Sequence, residues 1–263
     1  MGQIAQKWLN KLHAKNPYEG FDYHKFPIDL PDWGSYHPIF ANIISQLKPT
    51  LILEVGTWKG SSAIHIATLL RDLGLDSVII CIDTWLGGLE HIISADQSNL
   101  DIRQYCDHGY PRLYDQFLAN VMHCNCQDWI VPFPNTSNIA AKWFAREKVL
   151  ADFIYIDASH DEDDVYADLV HYWDLLKPNG IMLGDDWVVN WYGVICAVNR
   201  FVKERDLTLG LVESKWAIQK PSEPINSCPP QVEERLQTIE NFLQEFSTWC
   251  DPTTNLQQAE ERG

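Results

Sequence analysis

The chain has 263 residues, of which 46% are hydrophobic, and a formal net charge of −16 at pH 7. This length and composition are typical of a globular protein, and one domain spanning residues 1–263 accounts for them. The negative charge argues against nucleic acid or an anionic membrane as a partner, because both require clustered lysine and arginine. We predict a cytoplasmic protein, because the seven cysteines are scattered and the sequence shows no run of transmembrane length and no signal peptide. The protein could also form a homo-oligomer, which the sequence does not decide.

Residues 1–48 are predicted to form an N-terminal helical cap. The apolar residues from Ile4 to Leu12 have helical spacing, and a second helix is predicted from Pro38 to Leu47. The aromatic, proline-rich segment between the two helices has two interpretations. It covers a pocket, or it serves only as structural cover for the core.

The first predicted strand, residues 51–56, is followed by a glycine turn and a helix. This order of elements is typical of nucleotide-binding sites. A dinucleotide is disfavoured because Trp58 occupies the position where the fingerprint for such ligands requires a second glycine. The pattern of Glu54, Gly56 and Gly60 instead suits a ligand with a nucleoside and an amino-acid end but no phosphate, which describes S-adenosylmethionine.

A second predicted strand, residues 77–82, ends at Asp83. This acid comes 83 − 60 = 23 residues after Gly60. An acid at the end of the second strand is placed to bind ribose hydroxyls, and the alternative is an ordinary turn or cap acid. The sequence favours ribose binding because the glycine turn precedes it.

The segment from residue 85 to residue 128 is longer than a minimal connection between strands. We interpret it as an insertion that forms a lid or an acceptor wall, with a structural helix outside the sheet as the alternative. A third strand over 129–133 and a helix over 139–146 follow, and residues 135–137 are predicted to cap that helix.

Residues 152–187 are predicted to form a strand, a helix and a second strand. The strands are 152–156 and 180–183, and each ends in acidic residues. Neighbouring parallel strands place their carboxyl ends at one edge of the sheet, where ligands bind. We therefore expect Asp157, His160, Asp185 and Asp186 to converge there.

The remaining pattern predicts a helix over 194–205 and an antiparallel hairpin of strands 207–213 and 216–220. Residues 221–263 are predicted to contain a loop, a helix over 232–246 and a polar tail. The expected fold class is therefore α/β, with a mostly parallel Rossmann-like sheet, a terminal antiparallel hairpin, and N-terminal and inserted helices.

The motifs LEVGTWKGSS, IDTW, FIYIDASH and LKPNGIMLGDDW lie within residues 50–220, which we take as the cofactor-binding core. Together they resemble the class I S-adenosylmethionine-dependent methyltransferases. The combination of IDASH with GDDW is similar to the metal-dependent sugar O-methyltransferases of the macrocin and mycinamicin type. In that group the pair on the fifth strand can be Glu-Asp, whereas this chain has Asp-Asp.

This resemblance implies an O-methyltransferase that uses S-adenosylmethionine and Mg²⁺ or another divalent cation. It implies Asp157, Asp185 and Asp186 as metal ligands and His160 as the base. Metal coordination would acidify an acceptor hydroxyl, and a histidine would accept its proton. The implied cofactor-binding residues are Glu54, Gly56, Thr57, Gly60, Ser61, Ser62, Asp83, Thr84, Ser137 and Asp157.

The expected acceptor is a hydroxylated small molecule, either a sugar or a polyketide-type natural product. The regions that bind a macrolide in the resembled group find no match in residues 1–45, 85–128 or 221–263. The resemblance therefore predicts the type of reaction better than it predicts the acceptor. Two alternatives stay open. One is a catechol-type O-methyltransferase, and the other is a cofactor-binding protein without catalysis.

Overall fold

A computed structural model of the chain describes residues 2–93 and 101–222. The predicted helix over 232–246 and the polar tail lie outside these residues, as does residue range 94–100 of the predicted insertion. No helix in the described ranges combines the length and the apolar character needed to cross a membrane. The cysteines within these ranges are free thiols.

The helices and strands alternate along most of the chain. The described α-helices are α1 (Gln3–Leu12), α2 (Ile39–Leu47), α3 (Ser61–Asp72), α4 (Glu90–Ile93), α5 (Leu113–His123), α6 (Ser137–Arg146), α7 (Glu162–Trp173) and α8 (Tyr192–Arg205). The strands are β1 (Leu51–Val55), β2 (Val78–Asp83), β3 (Cys106–Asp107), β4 (Tyr110–Pro111), β5 (Ile130–Pro134), β6 (Ala151–Ile156), β7 (Leu176–Gly184), β8 (Gly210–Val212) and β9 (Lys215–Gln219). The predicted alternation of strands and helices is thereby confirmed.

Seven strands form one sheet in the order β5-β2-β1-β6-β7-β9-β8. Strands β5, β2, β1, β6 and β7 are parallel to one another, whereas β9 is antiparallel to both β7 and β8. The expected parallel sheet with a terminal antiparallel hairpin is confirmed. In chain order, β1, β2 and β5 extend the sheet in one direction, and β6 and β7 extend it in the other. The direction of strand addition therefore reverses between β1 and β6.

Helices cover both faces of this sheet. One face packs against α1, α6, α7 and α8, and the other packs against α2, α3 and α5. Side chains alternate between the two faces along each strand, as the pleat requires. Along β6, Ile154 and Ile156 point to the first face, and Phe153 and Tyr155 point to the second. This alternation places Tyr155 on the same side of the strand as Asp157, which follows its end.

Strand β7 is longer than the prediction, which began this strand at residue 180 and left residues 177–179 outside it. These residues lie within the strand, and the register shifts between Ala151 and Phe153 of the neighbouring strand. The backbone N–H of Asn179 donates to Lys220 (2.9 Å), and the N–H of Lys220 donates to Gly180 (2.9 Å). Pairing with the chain after β9 therefore holds this segment in the sheet despite its proline, its glycine and the positive φ of Asn179 (63°).

Candidate active site

A cavity of about 1300 Å³ opens at the carboxyl ends of the parallel strands. Its walls come from the segments that follow β1, β2, β5, β6 and β7, and it lies where the strand order reverses between β1 and β6. This is the place where open α/β sheets bind their ligands. The N-terminal segment contributes Pro31, Trp33 and Ser35 to the wall. The cap therefore takes part in the cavity.

The glycine turn after β1 depends on its two glycines for close backbone approaches. Gly56 has φ +82°, and a Cβ there would lie 2.0 Å from the carbonyl oxygen of Asp157. Gly60 has φ +89°, and a Cβ there would lie 2.9 Å from the ring of Phe117. Trp58, between them, also has a positive φ of 50°. The turn is thus held in a conformation that few other sequences tolerate.

Glu54 lies beneath this turn and is fully buried. Its carboxylate accepts hydrogen bonds from the hydroxyls of Thr57 (3.1 Å) and Ser62 and from the Cys81 thiol (3.4 Å). Burial raises the pKa of Glu54 to about 7 despite these donors. The side chain is not part of the cavity wall. It therefore contributes to the predicted cofactor site by fixing the turn.

Asp83 ends β2 and lines the cavity. One carboxylate oxygen accepts the N–H groups of Thr57 (2.9 Å) and Trp58 (2.8 Å), and the other accepts that of Trp85 (2.7 Å). Asp83 thus holds the turn from the cavity side while Glu54 holds it from below. Three of its about four lone-pair directions are therefore occupied by backbone N–H groups.

Several polar atoms of the cavity lining lack a protein partner. Within the described ranges, the buried atoms without a hydrogen bond include Ser61 Oγ, Trp58 Nε1 and His160 Nδ1, all from lining residues. Thr84 and Ser137 also line the cavity. Buried polar atoms are rarely left unpaired, and these are available to a polar ligand. The donor set therefore fits a cofactor with hydroxyl, amino and carboxylate groups.

Asp157, His160 and Asp186 come together in the cavity wall after β6 and β7. Each offers one potential ligand atom, and these atoms lie within 4.8 Å of one another. Burial, together with the charges of Asp185 and Asp186, raises the pKa of Asp157 well above its usual value. A divalent cation would relieve the crowding of these carboxylates, and their oxygen atoms are the donors such ions prefer. The residues present therefore fit the implied metal.

His160 is held by contacts on three sides. Its Nε2 lies 2.8 Å from Asp186 Oδ2, and its ring stacks on Trp191 with a centroid distance of 3.9 Å. Its Nδ1 lies 3.7 Å from Glu90 Oε1, beyond hydrogen-bond length. Burial favours a lower pKa for His160, but the hydrogen bond to Asp186 and the nearby acids outweigh it and raise the pKa. A neutral imidazole that donates from Nε2 leaves the Nδ1 lone pair free.

Asp185, the third predicted metal ligand, also lines the cavity and shares the hydroxyl of Tyr155 with Asp157, but it is not in the group of three. It forms an ion pair with Lys215 Nζ and accepts a hydrogen bond from Ser214 Oγ (2.7 Å). Lys215 has an exposed fraction of 0% and also donates to the hydroxyl of Tyr155 (3.2 Å). Asp185 and Asp186 therefore have different side-chain partners, although the two are adjacent in sequence.

The N-terminal segment is fastened to the glycine turn by a partly buried ion pair. Lys59 Nζ lies 2.7 Å from Asp29 Oδ2, which also accepts from the hydroxyl of Tyr105 (3.0 Å). Asn120 donates to the backbone carbonyls of Asp29 (2.8 Å) and Lys59 (2.9 Å). The cap, the turn and the insertion are thus one connected unit around the cavity.

Sequence reasoning did not assign a role to Glu90, Lys215 or Tyr155. Tyr155 carried a signal, because strand alternation places it on the side of Asp157. Lys215 carried none, since a lysine beside Ser214 in a predicted turn is ordinarily solvated. Glu90 lies in the insertion, where no pattern fixed the direction of its side chain.

Comparisons with known proteins agree with the fold. Residues 53–187, half of the chain, match the sequence profile of a family described as a methyltransferase domain. A rhamnosyl O-methyltransferase from Mycobacterium bovis is 30% identical over 79 residues, which is 29% of this chain and 29% of that relative. The alignment therefore spans less than a third of that relative.

Two solved structures share the fold. An O-methyltransferase from Bacillus cereus in complex with SAH is 17% identical with a TM-score of 0.51, and the alignment covers 82% of this chain and 97% of that one. TomG, an O-methyltransferase from Streptomyces achromogenes in complex with SAM, is 11% identical with a TM-score of 0.52, covering 84% and 97%. At these identities the likeness concerns the fold alone.

Proposed function

The chain belongs to this methyltransferase-domain family, and on that premise we propose that it transfers the methyl group of S-adenosylmethionine to a hydroxyl of a small acceptor. The observation that carries the proposal is His160, whose Nδ1 has no hydrogen-bond partner in the described ranges and faces the cavity beside the acids. A methyl acceptor with a hydroxyl requires such a base. A protein that only binds the cofactor does not.

The cofactor would be held by the segments around the glycine turn. Asp83 supplies a carboxylate as an acceptor for a hydroxyl, and Ser61 supplies a buried hydroxyl that has no hydrogen-bond partner among the described residues. Glu54 and Gly56 act on the shape of the turn. Ser137 and Thr84 complete the wall on the β5 and β2 sides. These residues favour a ligand with a nucleoside and an amino-acid end.

His160 would act as the general base through Nδ1. As the acceptor oxygen forms its bond to the methyl carbon, the carbon–sulfur bond breaks, the sulfonium becomes a thioether, and the hydroxyl proton passes to His160. The resulting imidazolium lies between Asp186 and Glu90, and both carboxylates stabilise its charge. Stacking on Trp191 limits rotation of the ring. Positioning of this kind supplies much of the catalysis in a direct displacement.

Asp157 and Asp186 would bind the divalent cation, which would lower the pKa of a coordinated acceptor hydroxyl. The crowding of carboxylates at this point supports the assignment. A sugar is the acceptor class that we propose, because the matched relative is named as a rhamnosyl O-methyltransferase. A cytoplasmic location and a natural product as the aglycone belong to the same proposal.

The test is methyl transfer from labelled S-adenosylmethionine to a panel of rhamnosides, other glycosides and catechols, with and without a chelator. We expect methylated glycosides and loss of the product when divalent ions are removed. Transfer to catechols alone would overturn the sugar assignment, and full activity in excess chelator would remove the cation. Calorimetry with S-adenosylmethionine accompanies the assay. Absence of both binding and transfer would overturn the function.

A further inference from the structure

The two adjacent acids after β7 have different surroundings, and this difference bears on the metal. We propose that Asp185 is not a ligand of the divalent cation, and that Lys215 occupies the position at Asp185 that the cation would otherwise take. Asp157 and Asp186 are then the carboxylates that bind the metal. The inference rests on the proposed cation-assisted methyl transfer and specifies its ligand set.

The oxygens of Asp185 are already satisfied by the protein. Oδ1 accepts from Ser214 Oγ (2.7 Å) and from the backbone N–H of Asp186 (2.8 Å). Oδ2 contacts the ammonium of Lys215 and the hydroxyl of Tyr155 (3.3 Å). A carboxylate has about four lone-pair directions, so these contacts occupy the positions that a metal would need. The side chain is also only 6% exposed.

The sheet itself places Lys215 at this point. Gly184 pairs with Trp216 in the antiparallel register of β7 and β9, so the next residues outward, Asp185 and Lys215, lie opposite each other. The N–H of Trp187 donates to the carbonyl of Ser214 (2.8 Å), which closes the chain around the pair. The register of the hairpin therefore places the ammonium beside Asp185 and the hydroxyl of Tyr155.

Electrostatics also favours this assignment. A divalent cation on Asp185 would lie next to the buried ammonium of Lys215, and repulsion between like charges is strong in a poorly solvated site. Asp157, Asp185 and Asp186 carry three negative charges when ionised, and Lys215 reduces the total to 3 − 1 = 2. One divalent cation neutralises that remainder. Without the lysine, the same ion would leave an excess negative charge.

Asp157 and Asp186 contrast with Asp185. Among the described residues, the side chain of Asp157 accepts only from the hydroxyl of Tyr155 (3.0 Å), and that of Asp186 only contacts His160 Nε2 (2.8 Å). Each therefore keeps a second oxygen for a ligand from the cavity. Both belong to the group whose potential ligand atoms lie within 4.8 Å of one another, whereas Asp185 does not.

The experiment measures Mn²⁺ binding to the full chain by electron paramagnetic resonance, with Asp185→Asn and Asp186→Asn as matched isosteric variants. We expect Asp186→Asn to weaken binding by about 100-fold or more and Asp185→Asn to change it by less than about tenfold. Circular dichroism establishes that each variant is folded. If Asp185→Asn leaves Lys215 unpaired and does not fold, the double variant Asp185→Asn/Lys215→Met removes both buried charges and is held to the same limit.

Lys215→Met alone tests the positioning role of the lysine. Removal of the ammonium frees Asp185 and removes a repulsive charge, so we expect Mn²⁺ to bind about tenfold more tightly or better. A purely structural lysine would not produce tighter metal binding. Unchanged or weaker binding in this variant would overturn the role of Lys215.

The ligand assignment is overturned if Asp185→Asn, or the double variant, weakens Mn²⁺ binding as severely as Asp186→Asn does. Absence of Mn²⁺ binding by the parent protein also overturns it. Calorimetry with S-adenosylmethionine on the same samples separates this result from a failure of the proposed function. A parent protein that binds S-adenosylmethionine and methylates an acceptor without Mn²⁺ refutes only the metal.

Discussion

The glycine turn and the acid edge follow the neighbouring strands β1 and β6 in one cavity wall and are stabilised in different ways. The turn is fixed mainly by uncharged donors, because the hydroxyls of Thr57 and Ser62 bond to Glu54 and backbone N–H groups of the turn bond to Asp83. The acid edge combines Glu90, the residues after β6 and β7, and Lys215 from β9. Hydrogen bonds from uncharged donors shape the first region, and tertiary ion pairs shape the second.

The two regions also neutralise a buried carboxylate in different ways. Glu54 has hydroxyl and thiol donors but no ammonium, and its pKa rises to about 7. Asp185 has an ammonium within contact distance. A turn stabilised by a proton becomes sensitive to pH, whereas an edge stabilised by an ion pair becomes sensitive to the loss of one partner. The following changes test this comparison, beginning with the largest expected effect.

His160→Ala removes the proposed base from the acid edge. We expect kcat to fall by about 10²–10⁴, the range for general acid–base catalysis, while S-adenosylmethionine affinity stays close to that of the parent. The measurement combines initial rates on a methylated glycoside with calorimetry. His108→Ala, a change at an exposed histidine, serves as the control. An unchanged kcat for His160→Ala would show that another group takes the proton.

Glu54→Gln tests the protonated carboxyl under the glycine turn. The folded state raises the pKa of Glu54 from 4.5 to about 7, so its contribution to stability is complete below 4.5 and is lost as the pH rises through 7. Glutamine does not titrate. Between pH 4 and pH 8 we therefore expect the free energy of unfolding of the parent to fall by about 3 kcal/mol more than that of the variant.

Urea unfolding at the two pH values measures this gain. Glu19→Gln, at an exposed position, controls for the loss of a surface charge. The prediction fails if the difference in stability between parent and Glu54→Gln is the same at both pH values.

Asp83→Ala removes the acceptor of three backbone N–H groups and the expected ribose ligand. Hydrogen bonds to charged groups contribute about 1.5–3 kcal/mol, so we expect S-adenosylmethionine affinity to fall by roughly 10- to 100-fold. Calorimetric titration gives the affinity. Asp72→Ala, an exposed acid on α3, is the control. Binding as tight as that of the parent would contradict the role of Asp83.

Gly193→Ala perturbs the acid edge without changing any charge. A Cβ at Gly193 would lie 2.3 Å from the carbonyl oxygen of His160, so the backbone that carries the base must move. We expect kcat to fall by about tenfold, with cofactor affinity unchanged, because small displacements of a catalytic group are costly. Cys196→Ala on the same helix is the control. A loss confined to cofactor affinity would contradict this explanation.

The sequence predicted the turn better than it predicted the edge. Apolar strands and the spacing of Gly56 and Gly60 are local patterns, and the observed sheet agrees with them. The convergence of Asp157 and Asp186 followed from parallel strands sharing an edge. The ion pair of Asp185 did not follow, because it depends on Lys215, which lies 30 residues further along the chain.

Two other features were also beyond local patterns. The length of β7 depends on its pairing with the chain after β9, which outweighs the breaking tendency of Pro178 and Gly180. The direction of Glu90 toward His160 depends on how the insertion folds over the cavity. Sequence periodicity carries no information on such contacts, since they join elements that are far apart in sequence.

The position of Lys215 in the chain has a consequence for the order in which the protein is made. Synthesis proceeds from the N-terminus, so the ribosome releases all three carboxylates before it releases the ammonium that pairs with Asp185. An emerging chain that ends before β9 holds these acids without their internal counter-charge. When β9 joins the sheet, the negative charge of Asp185 therefore attracts the ammonium of Lys215 at the start of that strand. A chain shortened before residue 215 would lose this attraction entirely.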